Sequence, residues 1–235
     1  MSADPPLSSG ADPDGTGGPH AFVDDLDDPV LDDADRHHLS RVVRLRVGDP
    51  LTVGDGRGSW RPARFGPRVE PTGDVVVVAA PAEPVTVGFA LLKGSRIDDV
   101  TRHLTELGVD VIVPIATERC VVRWNTATAQ KRHRRLERIT VEAAMQCRRA
   151  WLPTVEVVQP FAAAAERRGA VVAQMGAPPL AADVRCLLVG PEGGFTEAEV
   201  ALASATASLG AHVLRAETAA LAAGTLLADR RATRR

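Results

Sequence analysis

The stretch Leu187-Leu188-Val189-Gly190-Pro191-Glu192-Gly193-Gly194-Phe195-Thr196-Glu197-Ala198-Glu199-Val200 admits few folds. A short apolar run bounded by turn residues reads as a buried strand. It stops at Gly-Pro-Glu-Gly-Gly, where residues without a Cβ permit positive φ and let a ligand approach the backbone. A helix follows. Thr196 serves as its N-cap, Glu199 closes a T-x-x-E capping box, and Phe195 and Val200 are spaced for a hydrophobic staple. Strand, glycine loop and helix in that order belong to an α/β fold, in which ligands bind outside the carboxyl ends of the strands. The loop lacks the Gly-Lys-Ser/Thr ending of a P-loop and is not G-x-G-x-x-G. By spacing alone it serves equally as a tight strand–helix turn or as a ligand loop.

A second anchor lies downstream: Leu209-Gly210-Ala211-His212-Val213-Leu214-Arg215-Ala216-Glu217-Thr218-Ala219. The two motifs, G-P-E-G-G-F and L-G-x-x-x-L-R-x-E-T-A, together resemble the C-terminal signature of the RsmE-type family of bacterial rRNA methyltransferases, part of the SPOUT superfamily. That family methylates N3 of a uridine in small-subunit (16S) rRNA. The resemblance covers roughly residues 20–230.

Charge is distributed unevenly. Residues 1–35 hold ten of the 30 acidic residues, all Asp, and none of the 28 Lys and Arg. Residues 36–235 therefore carry a net +8, although the whole chain is −2. A basic body suits a polyanionic partner, and also suits a merely solvated surface. Cys120, Cys147 and Cys186 are odd in number and show no C-x-x-C spacing, so neither zinc nor a disulfide framework is expected. Reduced thiols fit a cytoplasmic protein. No apolar run reaches the roughly 18 residues of a membrane span, and the acidic N-terminus does not resemble a signal peptide.

The chain divides into an acidic, disordered tail (1–18), a small β-rich domain (19–83) and an α/β domain (84–235), joined at Pro81–Pro84. Strands are expected at Leu51–Val53, Ser59–Phe65 and Asp74–Ala80, with a short helix at Asp33–Arg41. Arg41, Arg44 and Arg46 alternate with apolar residues, as on a strand with one basic face. In the second domain, strand Val85–Leu92, helix Arg96–Leu107 and strand Val109–Ile115 form a β–α–β unit, which implies a parallel pair with a right-handed crossover. Thr126–Arg149 is a long amphipathic helix buried along Leu136, Ile139, Ala143 and Cys147. Lys131, Arg132, Arg134, Arg135 and Arg138 load its start, where cations oppose the helix dipole. Strand Val155–Gln159, helix Phe161–Arg168 and strand Ala170–Gln174 follow. After the glycine loop come a helix reaching Leu209, a strand His212–Leu214 and a helix Glu217–Arg230. On that last helix Ala220 and Gly224 permit close helix packing, within the chain or across subunits. The final Arg230–Arg235 is a frayed basic end.

The resemblance assigns roles along this frame. The run from His37-His38-Leu39 to Gly48-Asp49 matches an N-terminal H-H-L…V-L-R…G-D segment, which implies a PUA-like barrel that binds RNA through His37, His38, Arg41, Arg44 and Arg46. No metal is expected at the paired histidines. Lys93, Arg96, Asp98, Glu106, Leu107, Gly108, Val109 and Pro114 match K-x-x-R-x-D…E-L-G-V…P, with His103 where a lysine is usual. Glu142-Ala143-Ala144-Met145-Gln146-Cys147 matches E-A-x-x-Q-C/S, and Arg148 replaces the glycine of G-R-x-x-x-P. Lys93, Arg96, Arg119, Arg132, Arg135 and Arg149 are further candidate RNA contacts. The implied second domain is a SPOUT-type trefoil-knot methyltransferase domain binding S-adenosylmethionine in three loops: Met175 and Gly176; Gly190, Pro191, Glu192, Gly193 and Gly194; and Leu209, Gly210, Leu214, Arg215, Ala216 and Thr218. A homodimer acting on small-subunit rRNA within a ribosomal particle is implied as well.

Uridine N3 normally carries a proton, so methylation requires proton removal or stabilisation of the anion. A cation near O2 or O4 favours that anion. Arg215 is the first catalytic candidate and Arg149 the second. A salt bridge from Arg215 to Glu217 or Glu192 is the structural alternative, and no general base is assigned. Two other readings compete: a SPOUT ribose 2′-O-methyltransferase, and a non-catalytic RNA-binding assembly factor. The H-H-L…G-D segment and E-T-A signature weigh against the first. The intact Gly190–Gly194 and Leu209–Ala219 segments weigh against the second.

Overall fold

The computed structural model describes residues 11–232 and divides into two compact units. The first comprises the residues up to Pro81 together with Ala144–Leu152, and the second Ala82–Ala143 with the chain from Pro153 onward.

The N-terminal unit is built on a five-stranded sheet. Strand β1 (His20–Phe22) leads to α1 (Asp33–His37), capped by the Asp32 carboxylate accepting from the Asp35 amide. A π-helical turn, His38–Val42, follows. Then come β2 (Pro50–Gly54), β3 (Ser59–Arg64), β4 (Glu70–Pro71) and β5 (Val76–Val77). β1 pairs in parallel with β2, while β3 is antiparallel to β2, β4 and β5. Leu31, Leu39, Leu51, Val53 and Phe65 fill the core beneath.

Arg41, Arg44 and Arg46 do not form the expected strand. Arg44 holds φ at +63°, and the Arg46 amide turns back onto the Asp49 carboxylate at 2.7 Å. A left-handed residue cannot continue a pleat. The three arginines and both histidines remain exposed.

Residues 144–152 join this unit because Trp151 and Leu152 pack on the β2–β3 turn. The Gly58 amide donates to the Ala150 carbonyl at 3.0 Å, the Leu152 amide to Gly56 at 2.9 Å, and the Trp151 indole to Val78 at 2.9 Å. A Cβ at Gly58 would lie 2.5 Å from the Trp151 ring, so only glycine allows this approach. Arg148 adopts φ +60°, the left-handed conformation that the glycine it replaces would take without strain. Its guanidinium donates to the Gly18 carbonyl. The Asp12 carboxylate accepts the Ala150 amide at 2.7 Å, and the Trp60 indole donates to the Ala11 carbonyl at 2.8 Å. Residues 11–18 of the expected tail are thus tied to the sheet by polar contacts that composition does not foretell. The rest of the tail, and residues 233–235 of the basic end, lie outside the described residues.

The second unit is a seven-stranded parallel sheet. In chain order it contains β6 (Thr86–Ala90), α2 (Arg96–Glu106), β7 (Val111–Ala116) and α3 (Thr126–Cys147), the last turn of α3 belonging to the first unit. It continues with β8 (Thr154–Val155), β9 (Gln159–Pro160), α4 (Phe161–Ala165), β10 (Ala170–Ala173), β11 (Cys186–Val189), α5 (Glu197–Leu202), β12 (Ala205–Ala207) and α6 (Ala216–Ala232). The strand order is β12-β10-β11-β6-β7-β8, with β9 also on β7. Side chains alternate across the sheet. Val171, Leu187 and Val189 enter the core that includes residues of α2, α3 and α6, while Val172, Cys186 and Leu188 enter the opposite core with α4. Such two-sided burial is why these strands read as continuous apolar runs.

One expected strand is displaced. The helix after the glycine loop ends at Leu202, and the added strand is Ala205–Ala207 rather than His212–Leu214. The Ser204 amide donates to the Ala170 carbonyl at 3.2 Å and the Gln174 amide to Ala207 at 2.9 Å, fixing β12 on the open edge of β10.

The close packing expected at Gly224 is made inside the chain. A Cβ there would lie 2.8 Å from Leu104 Cδ2 and 3.2 Å from Val109 Cγ2. Gly224→Leu should therefore destabilise the fold by about 1–3 kcal/mol through overpacking. Urea unfolding checks this, and a variant as stable as the wild type would show that α6 and α2 readily move apart.

Candidate functional site

Because β12, β10 and β11 are neighbours and parallel, their carboxyl ends bring three sequence-distant loops together. These are Gln174–Met175 after β10, Gly190–Phe195 after β11 and Ser208–Arg215 between β12 and α6. They enclose a cleft of about 690 Å³, counting space open to solvent.

The cleft brings together Met175, Gly190, Pro191, Glu192, Gly194, Leu209, Gly210, Leu214 and Ala216, all expected from the sequence. Gly176, Gly193, Arg215 and Thr218 do not line it. It adds Ala173, Gln174 and Val189 from the strand ends, Phe195, and Ser208, His212 and Val213 from the last loop. These become visible only once β12 is placed beside β10. Ala219 also lines it, three residues after Ala216 on α6, and helical periodicity alone would have found it.

The loop after β11 is braced on several sides. The Gly194 amide donates to the Pro191 carbonyl at 2.8 Å, closing a tight turn with Gly194 at φ +68°. The capping box at α5 forms as expected. Its Glu199 carboxylate is buried, accepting the Thr196 amide at 2.9 Å through one oxygen and the Glu118 amide at 2.8 Å through the other. Arg119 donates to the carbonyls of Gly193 at 3.0 Å and Phe195 at 3.2 Å.

Arg96 spans the two acidic residues that were the expected alternatives for Arg215. It stands 3.6 Å from Glu192 and 3.9 Å from Glu217. Half-exposed pairs of this kind fix orientation and add little stability. The second oxygen of Glu217 is buried without a hydrogen-bond partner among the described residues. Arg215 is exposed, between cleft-lining Leu214 and Ala216, and makes no ion pair within 4 Å among the described residues. Arg149 belongs to the N-terminal unit.

The remaining candidate cations separate by partner. Arg135 is committed to the buried Asp98 carboxylate, with contacts of 2.8 Å from two of its nitrogens. Lys93 is exposed and Arg132 half-buried. Lys131, Arg134 and Arg138 are exposed at spacings of three and four, on one face of α3. Among the described residues no helix is long and apolar enough to cross a membrane.

Comparison with known proteins bears on this arrangement. A family model described as an RNA methyltransferase domain matches residues 79–228, and one described as an RNA methyltransferase PUA domain matches residues 31–66. Ribosomal RNA small subunit methyltransferase E of Synechocystis is 34% identical over 214 residues, covering 81% of this chain and 69% of that protein. Its namesake in Mycobacterium tuberculosis is 33% identical over 232 residues, covering 86% and 88%. The crystal structure of ribosomal RNA small subunit methyltransferase E from Neisseria gonorrhoeae, bound to S-adenosyl methionine, superimposes with a TM-score of 0.73 at 28% identity, covering 88% of this chain and 94% of that one. A methyltransferase of Legionella pneumophila solved with the same cofactor gives 0.76 at 25% identity, covering 88% and 96%.

Proposed function

The chain belongs to the RNA methyltransferase family, in its RsmE-type branch of small-subunit rRNA methyltransferases, and from that premise we propose that it transfers a methyl group from S-adenosylmethionine to N3 of one uridine in 16S rRNA. The chain accordingly folds as a PUA-like domain followed in sequence by a SPOUT-type methyltransferase domain. The observation that carries the reading is the cleft itself. Both signature motifs meet in it, at the carboxyl ends of three adjacent parallel strands.

The residues present fit the cofactor. Val189, Leu209, Leu214 and Ala216 give apolar walls, and the backbone of three loops offers donors and acceptors for an adenine edge. Glu192 supplies an acceptor at the margin. When bound, S-adenosylmethionine provides a methyl group activated by a sulfonium.

The chain's own task is to present the uridine and hold its charge. N3 lies on the Watson–Crick edge, so the target base is taken unpaired. Arg215, exposed beside the cleft and without a carboxylate partner within 4 Å among the described residues, stabilises the anion that forms as the N3 proton leaves. Alignment of sulfur, methyl carbon and N3 is a matter of positioning.

RNA is drawn in by the exposed side chains His37, His38, Arg41, Arg44 and Arg46 of the PUA-like unit, and by the Lys131–Arg134–Arg138 face of α3. Replacing Arg134 and Arg138 with Ala should weaken RNA binding and reduce the slope of log affinity against log salt by roughly 0.7 for each phosphate no longer neutralised. Arg135→Ala should leave that slope unchanged because Asp98 holds its guanidinium. Filter binding across a salt series measures this, and equal slopes for all variants would mean the α3 face is only solvated.

The protein works in the cytoplasm on a ribosomal particle, as a homodimer in which the half-exposed Leu221 and Leu226 of α6 are covered. Sedimentation at micromolar concentration tests the dimer, and an active monomer would defeat it. The function is tested by mass spectrometry of 16S rRNA nucleosides from a deletion strain. Loss of 3-methyluridine, restored by the wild-type chain, is expected. An unchanged nucleoside, or loss of a ribose-methylated one instead, would overturn the assignment.

A further inference from the structure

We propose that Arg119 is a positioning residue of the cofactor loop: it holds the loop's one left-handed hinge in the conformation that S-adenosylmethionine binds. The inference rests on the cofactor reading given above and adds a residue to it.

Arg119 donates through one nitrogen to two carbonyls, those of Gly193 and Phe195. These carbonyls belong to the residues on either side of Gly194, whose φ of +68° makes it the freest point of the loop. Gly194 lines the cleft. On the other side of the loop, a Cβ on Gly193 would face the Arg119 side chain at 3.5 Å. The arginine thus grips the loop from behind while the cleft lies in front.

The base of the arginine is itself fixed. The Glu118 amide donates to the buried Glu199 carboxylate, and the Cys120 thiol donates to the Leu91 carbonyl at 3.1 Å. Arg123 donates to the Thr117 carbonyl at 2.9 Å and the Glu118 carbonyl at 2.8 Å. With both chain neighbours anchored, the guanidinium is delivered to the two carbonyls with little further loss of backbone freedom, the condition under which a preorganised loop gains affinity. A planar, permanently charged donor set suits this better than a flexible ammonium. The two bonds also set Arg119 apart from Lys131, Arg134 and Arg138, which have no comparable engagement with the cleft.

The test compares wild type, Arg119→Ala and Arg119→Lys by titration calorimetry with S-adenosylmethionine, by RNA binding at two salt concentrations and by thermal unfolding. Arg119→Ala should weaken cofactor binding about tenfold. Arg119→Lys should recover part of that loss, and RNA affinity, its salt slope and the melting temperature should stay near wild type. Unchanged cofactor affinity with weaker, less salt-dependent RNA binding would make Arg119 an RNA contact and overturn the proposal. A lowered melting temperature with no rescue by lysine would reduce it to a structural residue, which also overturns it. Failure of the wild-type chain to bind the cofactor at all would instead overturn the reading on which the proposal rests.

Discussion

Gly194→Val is expected to abolish measurable S-adenosylmethionine binding while leaving the chain folded. Gly194 stands at φ +68°, and a Cβ added there meets no protein atom within 4 Å. The fold is therefore unobstructed, and the penalty has two other sources. A left-handed L-residue costs about 1–2 kcal/mol, and a β-branched one is a stronger outlier. The loop escapes this strain by rotating away from the conformation that Pro191 and Arg119 hold. The isopropyl group also stands beside the cleft that Gly194 lines. At tenfold per 1.4 kcal/mol, strain and occlusion together should weaken binding roughly a hundredfold or more. Gly193→Val makes the control. Its φ lies outside the left-handed region, and its Cβ faces Arg119 at an ordinary 3.5 Å. Calorimetry should show a large loss for the first variant and a small one for the second, with both melting near wild type. Equal affinities for Gly194→Val and wild type would remove this loop from the cofactor site.

Arg215→Ala is expected to slow single-turnover methylation by roughly 10²–10³-fold, the usual cost of removing one preorganised donor from a developing anion. Arg96, not Arg215, approaches Glu192 and Glu217. Cofactor and RNA affinities should change far less than the rate, because the interaction strengthens only as charge develops. Arg215→Lys keeps the charge but loses the planar fork, so its rate should lie between the two. In both variants the rate should recover partly as pH rises. Ionised uridine is more abundant at high pH, and the missing stabilisation then matters less. Rate against pH at saturating cofactor is the measurement. Parallel profiles, with the whole deficit in binding, would sink the catalytic assignment.

Much of this arrangement was legible in the chain because it is local. The T-x-x-E box at Thr196–Glu199 and the apolar runs at Val87 and Leu187 depend on residues a few positions apart, and they form as read. So does most of the amphipathic course of α3, with Leu136, Ile139 and Ala143 buried, whereas Cys147 at its end is only half-buried. The paired motifs at Gly190–Phe195 and Leu209–Ala219 identify the family, and each contributes directly to the cleft. What the sequence could not carry is the choice among partners distant along it. Ala205–Ala207 is weakly apolar and became a strand because the open edge of β10 offered unpaired carbonyls and amides. That pairing in turn recruited Ser208, His212 and Val213. The arginines show the same limit. Periodicity places Arg132, Arg134, Arg135 and Arg138 on one helix without saying that the buried Asp98 takes Arg135. It cannot say that two backbone carbonyls take Arg119, or that a carbonyl at Gly18 takes Arg148. A guanidinium has a long reach and several donors, so its partner is settled only when the tertiary fold fixes which acceptors lie within that reach.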